Sequence, residues 1–137
     1  MIDTIRLIIA GSRDFNDYEL LKKEVDVYLF GYILGNLNVD LTEEVLSIEI
    51  VSGGARGADR LGERYAKEHN LFIQQFLPDW SVGRGAGYLR NVEMGRYATH
   101  CICFDLGTNG TKHMIETAKK YKLGLKVVKV DSTNEKE

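Results

Sequence analysis

Proline, cysteine and tryptophan are scarce in this chain, and each scarcity excludes something. One proline in 137 residues, Pro78, excludes a proline-rich linker. The two cysteines, Cys101 and Cys103, lie two apart in a strand-like run, which excludes a disulfide framework; they read as small buried hydrophobes in a reducing, cytosolic compartment. The three histidines, His69, His100 and His113, lack metal-ligand spacing. No apolar run approaches the ~20 residues of a membrane helix. The first residues lack the basic and long apolar segments of a secretory signal, so we expect no membrane partner and a cytoplasmic location. An excess of basic charge is also missing: 18 Lys+Arg against 20 Asp+Glu give a net charge of −2. That balance argues against a nucleic-acid binder relying on bulk phosphate neutralisation.

What is present is an alternation. Short apolar runs at 5–10, 47–51, 71–76, 99–104 and 125–130 read as strands. Segments 17–30, 58–69, 88–97 and 112–121 carry apolar residues at helical spacing, the first with Asn16 or Asp17 as its N-cap. Residues 31–46 interrupt the pattern with Gly31, Gly35, Asn36 and Asn38, and Thr42-Glu43-Glu44 suggests one helical turn. A β-α-β-α-β-α-β-α-β order predicts one α/β domain over 1–130: a Rossmann-like, mostly parallel five-stranded sheet with helices on both faces. Residues 131–137 read as a polar tail. In such sheets ligands bind beyond the carboxyl ends of the strands.

Glycine is placed where that rule would put a ligand. Gly11-Ser12-Arg13 follows the first strand, Ser52-Gly53-Gly54-Ala55-Arg56-Gly57-Ala58-Asp59 the second, and Gly107-Thr108-Asn109-Gly110-Thr111 the fourth. Small residues let backbone approach a ligand, and N–H groups at helix starts suit an anion. Neither the dinucleotide G-x-G-x-x-G nor the P-loop pattern occurs. Arg13, Arg56, Arg84 and Arg90 lie in or just after these loops, and the guanidinium fork suits phosphate. Trp80, in a loop after Pro78-Asp79, is placed to stack on a base or on a neighbouring subunit. Asp59 reads as a brace of the second helix.

Gly11-Ser12-Arg13-Asp14-Phe15, the 52–59 run, Asp79-Trp80, Ala86-Gly87-Tyr88-Leu89-Arg90-Asn91-Val92-Glu93-Met94 and Gly110-Thr111 together resemble the YspA-like branch of the SLOG superfamily, which includes the DprA/SMF and LOG proteins. The resemblance spans residues 5–130. It implies a Rossmann-like domain that binds a nucleotide or nucleotide-derived ligand, ADP-ribose- or NAD-related or a nucleoside phosphate, without a further cofactor. It also implies a bacterial or phage setting and a homo-oligomer. LOG relatives cleave the N-glycosidic bond of nucleoside 5′-monophosphates, using an arginine in the motif matched by Arg90 and a glutamate just after Gly-Thr. Here Lys112, His113 and Met114 follow Gly110-Thr111, and the first glutamate is Glu116. Gly83-Arg84 replaces the family's Gly-Lys, Thr99 an aspartate, and Phe104-Asp105-Leu106-Gly107 a Phe-Trp-Asp-Gly-like turn. The expectation is therefore binding over hydrolysis, with a nucleotide-processing enzyme as the alternative and a DNA-handling accessory as a weaker one. Asp105 stands as the substitute carboxylate beside Arg90, with Asp14 and Glu93 behind it. The ligand-contacting set is Gly11, Ser12, Arg13, Ser52, Gly53, Gly54, Ala55, Arg56, Gly57, Asp59, Trp80, Arg84, Arg90, Asn91, Gly107, Asn109, Gly110 and Thr111.

Overall fold

In a computed structural model, which describes residues 2–35 and 45–131, the chain alternates strand and helix throughout. The order is β1 (Ile2–Gly11), α1 (Tyr18–Gly35), β2 (Val45–Ser52), α2 (Ala58–Glu68), β3 (Phe72–Gln75), α3 (Ala86–Tyr97), β4 (His100–Asp105), α4 (Asn109–Lys120) and β5 (Gly124–Lys129), with a 3-10 turn at Trp80–Val82. The strands form a single sheet in the order β3-β2-β1-β4-β5, and every pairing is parallel.

Strand period explains the layering. Ile5, Leu7 and Ile9 of β1 point to one face, where Leu21, Val25 and Leu29 of α1 and Ala58, Tyr65 and Ala66 of α2 cover them. Ile8 and Ala10 point to the other, against Met94 of α3 and Met114 and Ala118 of α4. Strand β4 divides likewise: Ile102 and Phe104 join the first cluster, Cys101 and Cys103 the second. Both cysteines are free and buried, as small core residues.

Asp17 caps α1, its carboxylate accepting the Leu20 N–H at 3.0 Å. The helix does not stop near residue 30. It continues through Gly31 to Gly35, because Gly31 faces open space and a solvent-facing glycine weakens a helix by only ~1 kcal/mol. The expected turn at Thr42–Glu44 and the polar tail at 132–137 lie outside the described residues. Helices α3 and α4 begin two and three residues earlier than their apolar spacing indicates, at Ala86 and Asn109, since first-turn residues need no buried face. No helix among the described residues is long and apolar enough to cross a membrane.

The sheet order reverses direction between β1 and β4. From β1 the chain moves outward to β2 and β3; after the crossover to β4 it moves outward the other way. A crevice opens at that switch point, beyond the strand tips.

Candidate functional site

Four segments converge on this crevice: the turn after β1, the loop before α2, the start of α3, and the start of α4. A cleft of about 430 Å³ lies among them, inside the ~300–1,000 Å³ range of small-molecule sites. The β1 turn contributes Gly11, Ser12 and Arg13, and the α2 loop Ala55, Arg56 and Asp59. Arg84, Arg90 and Asn91 come from the third segment, and Gly110 and Thr111 from the fourth. Trp80 stands at the mouth, 56% exposed. A second lobe of about 470 Å³ adjoins the first, walled by Gly53, Gly54, Leu77 and Pro78. The two share Arg13, Ala55, Arg56, Trp80 and Arg90.

The turns are fixed by close backbone approach. Gly57 has φ +81°, and a Cβ there would lie 2.4 Å from the Ser12 carbonyl oxygen. Glycine at 57 thus lets the α2 loop rest on the β1 turn, where the Ala58 N–H donates to the Ser12 carbonyl at 3.3 Å. Buried Ser12 accepts the Asp14 N–H on its hydroxyl at 3.1 Å. Ser52, also buried, accepts the Gly54 N–H at 3.0 Å and donates to Glu63 Oε2 at 2.7 Å. Such side-chain-to-backbone bonds hold a turn in one conformation.

The floor between the lobes is a buried charged network. Arg90 is 8% exposed. It donates from Nη1 to the Gly53 carbonyl at 2.5 Å and from Nε to Asn91 Oδ1 at 3.1 Å. Asp59, 6% exposed, accepts the Ala55 N–H at 3.2 Å. A Cβ on Gly53 would sit 2.3 Å from Arg90 Nη1 and 2.8 Å from Asp59 Oδ2, so glycine at 53 leaves room for the two groups to face each other. Burial lowers the Arg90 pKa, and the Asp59 charge opposes that shift. Burial pushes Asp59 up to about 6, against the Ala55 N–H and Arg90, which hold it down. Asn91 extends the network. Its Oδ1 is taken by Arg90, so its Nδ2 faces His113 Nδ1 at 3.2 Å. That nitrogen then accepts, which puts the ring proton on Nε2. Tyr88 stacks on the His113 ring, centroids 4.3 Å apart.

Asp59 carries a pH prediction. Its folded pKa, about 6 against an ordinary 3.8, is raised. The folded state therefore holds the proton more tightly, and stability from this group is full below pH ~4 and lost as pH rises through 6. Two pH units correspond to about 3 kcal/mol. In Asp59→Asn the loss is absent. Denaturant unfolding should show the variant gaining about 3 kcal/mol on the native protein between pH 4 and pH 7; a constant difference across that range would refute it.

Some expected site residues line neither lobe. Ser52 and Gly57 support the loop from behind. Gly107 and Asn109 lie outside both linings. Asp105 is buried and engaged: Oδ1 accepts the Gly107 N–H at 2.7 Å, and Oδ2 accepts from Lys129 Nζ at 2.9 Å. The Lys129 hydrogen bond is the main reason its pKa is lowered. The structure thus places Asp105 in the β4 turn and not on the wall with Arg90.

Other lining residues were missed by sequence reasoning. Tyr88, Met94 and Met114 line the main lobe; they count as ordinary apolar positions of helices until the helices are docked. Asp14, expected only as a weaker substitute carboxylate, lines it too, in an exposed ion pair with Arg56 at 3.5 Å, a contact of little energetic weight. Arg60, in the second lobe, carried no signal, because it sits in the first turn of the 58–69 run, which was read for its buried stripe. Among the described residues no cluster of His, Cys, Asp or Glu could hold a metal.

A model of the YspA, cpYpsA-related SLOG family matches residues 5–83, more than half of the chain. The Gene 61 protein of Mycobacterium phage D29 is 32% identical over 127 aligned residues, covering 84% of this chain and 89% of that protein. No solved structure matches the chain.

Proposed function

This chain belongs to the YspA, cpYpsA-related SLOG family, and from that premise we propose that its cleft binds a nucleotide or nucleotide-derived ligand. The class includes nucleoside phosphates and ADP-ribose- or NAD-related molecules. The protein then acts as a sensor or sequestering module. One observation carries the reading: Arg13, Arg56, Arg84 and Arg90 line one cleft in a chain of net charge −2. Arg13 and Arg84 have no ion pair among the described residues, and the Arg56 pair is solvated. Four arginines against two aspartates, Asp14 and Asp59, leave the cleft with an excess of positive charge that a bound anion balances. The phosphate lies on the backbone of the 53–57 loop and the start of α2, with Arg13, Arg56 and Arg90 as neutralising partners, and Trp80 offers a ring for the base.

The carboxylates support binding over glycosidic hydrolysis. Cleavage at ribose needs a carboxylate beside the developing oxocarbenium ion. Asp59 is turned into its own loop, Asp105 is held by Lys129, and Asp14 sits on the exposed rim with Arg56. Lys112 and His113 stand where LOG relatives carry the glutamate.

Calorimetry with AMP and ADP-ribose tests the reading. Arg56→Ala removes one charge-assisted contact, at the low end of ~1.5–3 kcal/mol because the side chain is exposed. Affinity should fall about tenfold. Unchanged affinity would take Arg56 off the phosphate.

A further inference from the structure

Two of the three guanidinium nitrogens of Arg90 are taken. Nη1 donates to the Gly53 carbonyl and Nε to Asn91 Oδ1. Nη2 has no protein partner among the described residues, and a Cβ added to Gly87, on the cleft wall, would lie 3.8 Å from it. A planar fork held at two points aims its third. The aim of Nη2 thus depends on Asn91, and the orientation of Asn91 on His113. For the cleft read above as a nucleotide site, we propose that His113 is a positioning residue that works as a proton latch. Neutral, it holds Asn91 so that Arg90 faces the ligand; protonated, it takes the Asn91 oxygen from Arg90 and weakens binding.

Asn91 has one side-chain oxygen, with cation-forming groups on either side of the amide. The oxygen meets Arg90 Nε at 3.1 Å, and Nδ2 meets His113 Nδ1 at 3.2 Å. Imidazolium carries a proton on both nitrogens and cannot accept, so on protonation two N–H groups face each other. Asn91 is 6% exposed, and water does not make good the lost acceptor. Turning the imidazole puts a C–H there and leaves the amide N–H unpaired. Turning the amide gives the imidazolium a charge-assisted bond, and the displaced guanidinium has an exit into the open cleft. The amide therefore turns. His113 makes no other hydrogen bond or ion pair among the described residues. From α3 it meets the Tyr88 ring and Asn91. The nearby charged residues of the two helices, Lys112 and Glu116 on α4 and Glu93 and Arg96 on α3, are exposed and none bonds to it. Arg90 stands behind Asn91, and Asp59, which gains a proton near pH 6, faces Arg90. By linkage, an anion that needs Arg90 in place expels the His113 proton; a bare added charge would do the reverse.

NMR of the full chain tests the latch without ligand, as pH is lowered from 7.5 until the His113 ring signal has titrated. The Arg90 Nε–H signal should be present at pH 7.5 and disappear with that titration. In His113→Gln, which keeps an acceptor and takes no proton, it should persist across the range although Asp59 still titrates; in His113→Leu it should be absent throughout. Retention in the native protein after His113 has titrated, or equal loss in His113→Gln, would overturn the proposal. Calorimetry with ADP-ribose adds the consequence, because a diphosphate diester lacks the monoester proton of pKa ~6. Relative to His113→Gln, native affinity should fall about tenfold between pH 7.5 and 5.5. No change, or tighter native binding at pH 5.5, would overturn it. Failure of ADP-ribose and AMP to bind at pH 7.5 would overturn the nucleotide reading, with the Arg90 signal still deciding the latch.

Discussion

Replacing Gly57 with alanine should lower the melting midpoint by about 10 °C and abolish ligand binding. At φ +81° and ψ −132° the backbone occupies a region that costs any other residue ~1–3 kcal/mol. The new Cβ would also press on backbone, 2.4 Å from the Ser12 oxygen and 2.6 Å from the Arg13 carbonyl carbon. Backbone cannot swing aside as a side chain can, so the loop must lift off the β1 turn and lose the Ala58–Ser12 hydrogen bond, a further ~1 kcal/mol. The total is about 3 kcal/mol, and at this chain length each kcal/mol moves the midpoint by roughly 3 °C. Calorimetric melting checks it. Gly85→Ala is the control: nothing lies within 4 Å of its added Cβ, and its φ of −78° is ordinary, so it should melt like the native protein. A Gly57→Ala midpoint within 3 °C of native would contradict the account.

Arg90→Leu should cost about 3 kcal/mol at pH 7.5 and reduce ligand affinity more than a hundredfold. The substitution leaves the Gly53 carbonyl and Asn91 Oδ1 without their donor, and a hydrogen bond from a charged group contributes ~1.5–3 kcal/mol. It also strips Asp59 of a cation that holds its pKa down. Asp59 then keeps its proton to higher pH, so the deficit should be smaller at pH 5, where Asp59 is largely protonated in both proteins, than at pH 7.5. Denaturant curves at the two pH values test the sign. A deficit larger at pH 5 would mean that Arg90 and Asp59 do not act together. Arg90→Lys should retain part of the stability, since it keeps the charge, but lose the fork that reaches two acceptors at once.

Much of this was legible before the chain was folded. Strand, glycine turn and helix recur in order, and the apolar runs name the strands because a parallel strand is covered on both faces and so reads as continuously apolar. The arginines and the 52–59 run point to the switch point, because a motif of small residues keeps its local meaning wherever the strand lies. What sequence could not convey is direction. Asp105 ends a strand at the ligand edge, as expected, yet its side chain turns to Lys129 from neighbouring β5, a partner 24 residues on that only sheet pairing brings near. Arg60 and Tyr88 were hidden for the opposite reason: each lies on a helix whose spacing announces only the buried stripe. Helix α1 outran its apolar pattern because Gly31 faces open space, where a helix break gains nothing.

The strand order also sets when the site can come into being. During synthesis β1, β2 and β3 emerge first and are neighbours in the sheet, so half of it can pair early. The partner on the other side of β1 is β4, and the contact that registers them, between Arg6 and Thr99, spans 93 residues. Closing so long a loop is slow relative to local pairing. The cleft lies between the tips of those two strands, and its last wall, at Gly110 and Thr111, is made after both. A nascent chain that has reached Gly83 has finished the stretch that the family model matches, yet it lacks the α3 and α4 walls. Competence to hold the proposed ligand therefore arrives at the end of folding, and a nucleotide bound there would stabilise the completed sheet alone.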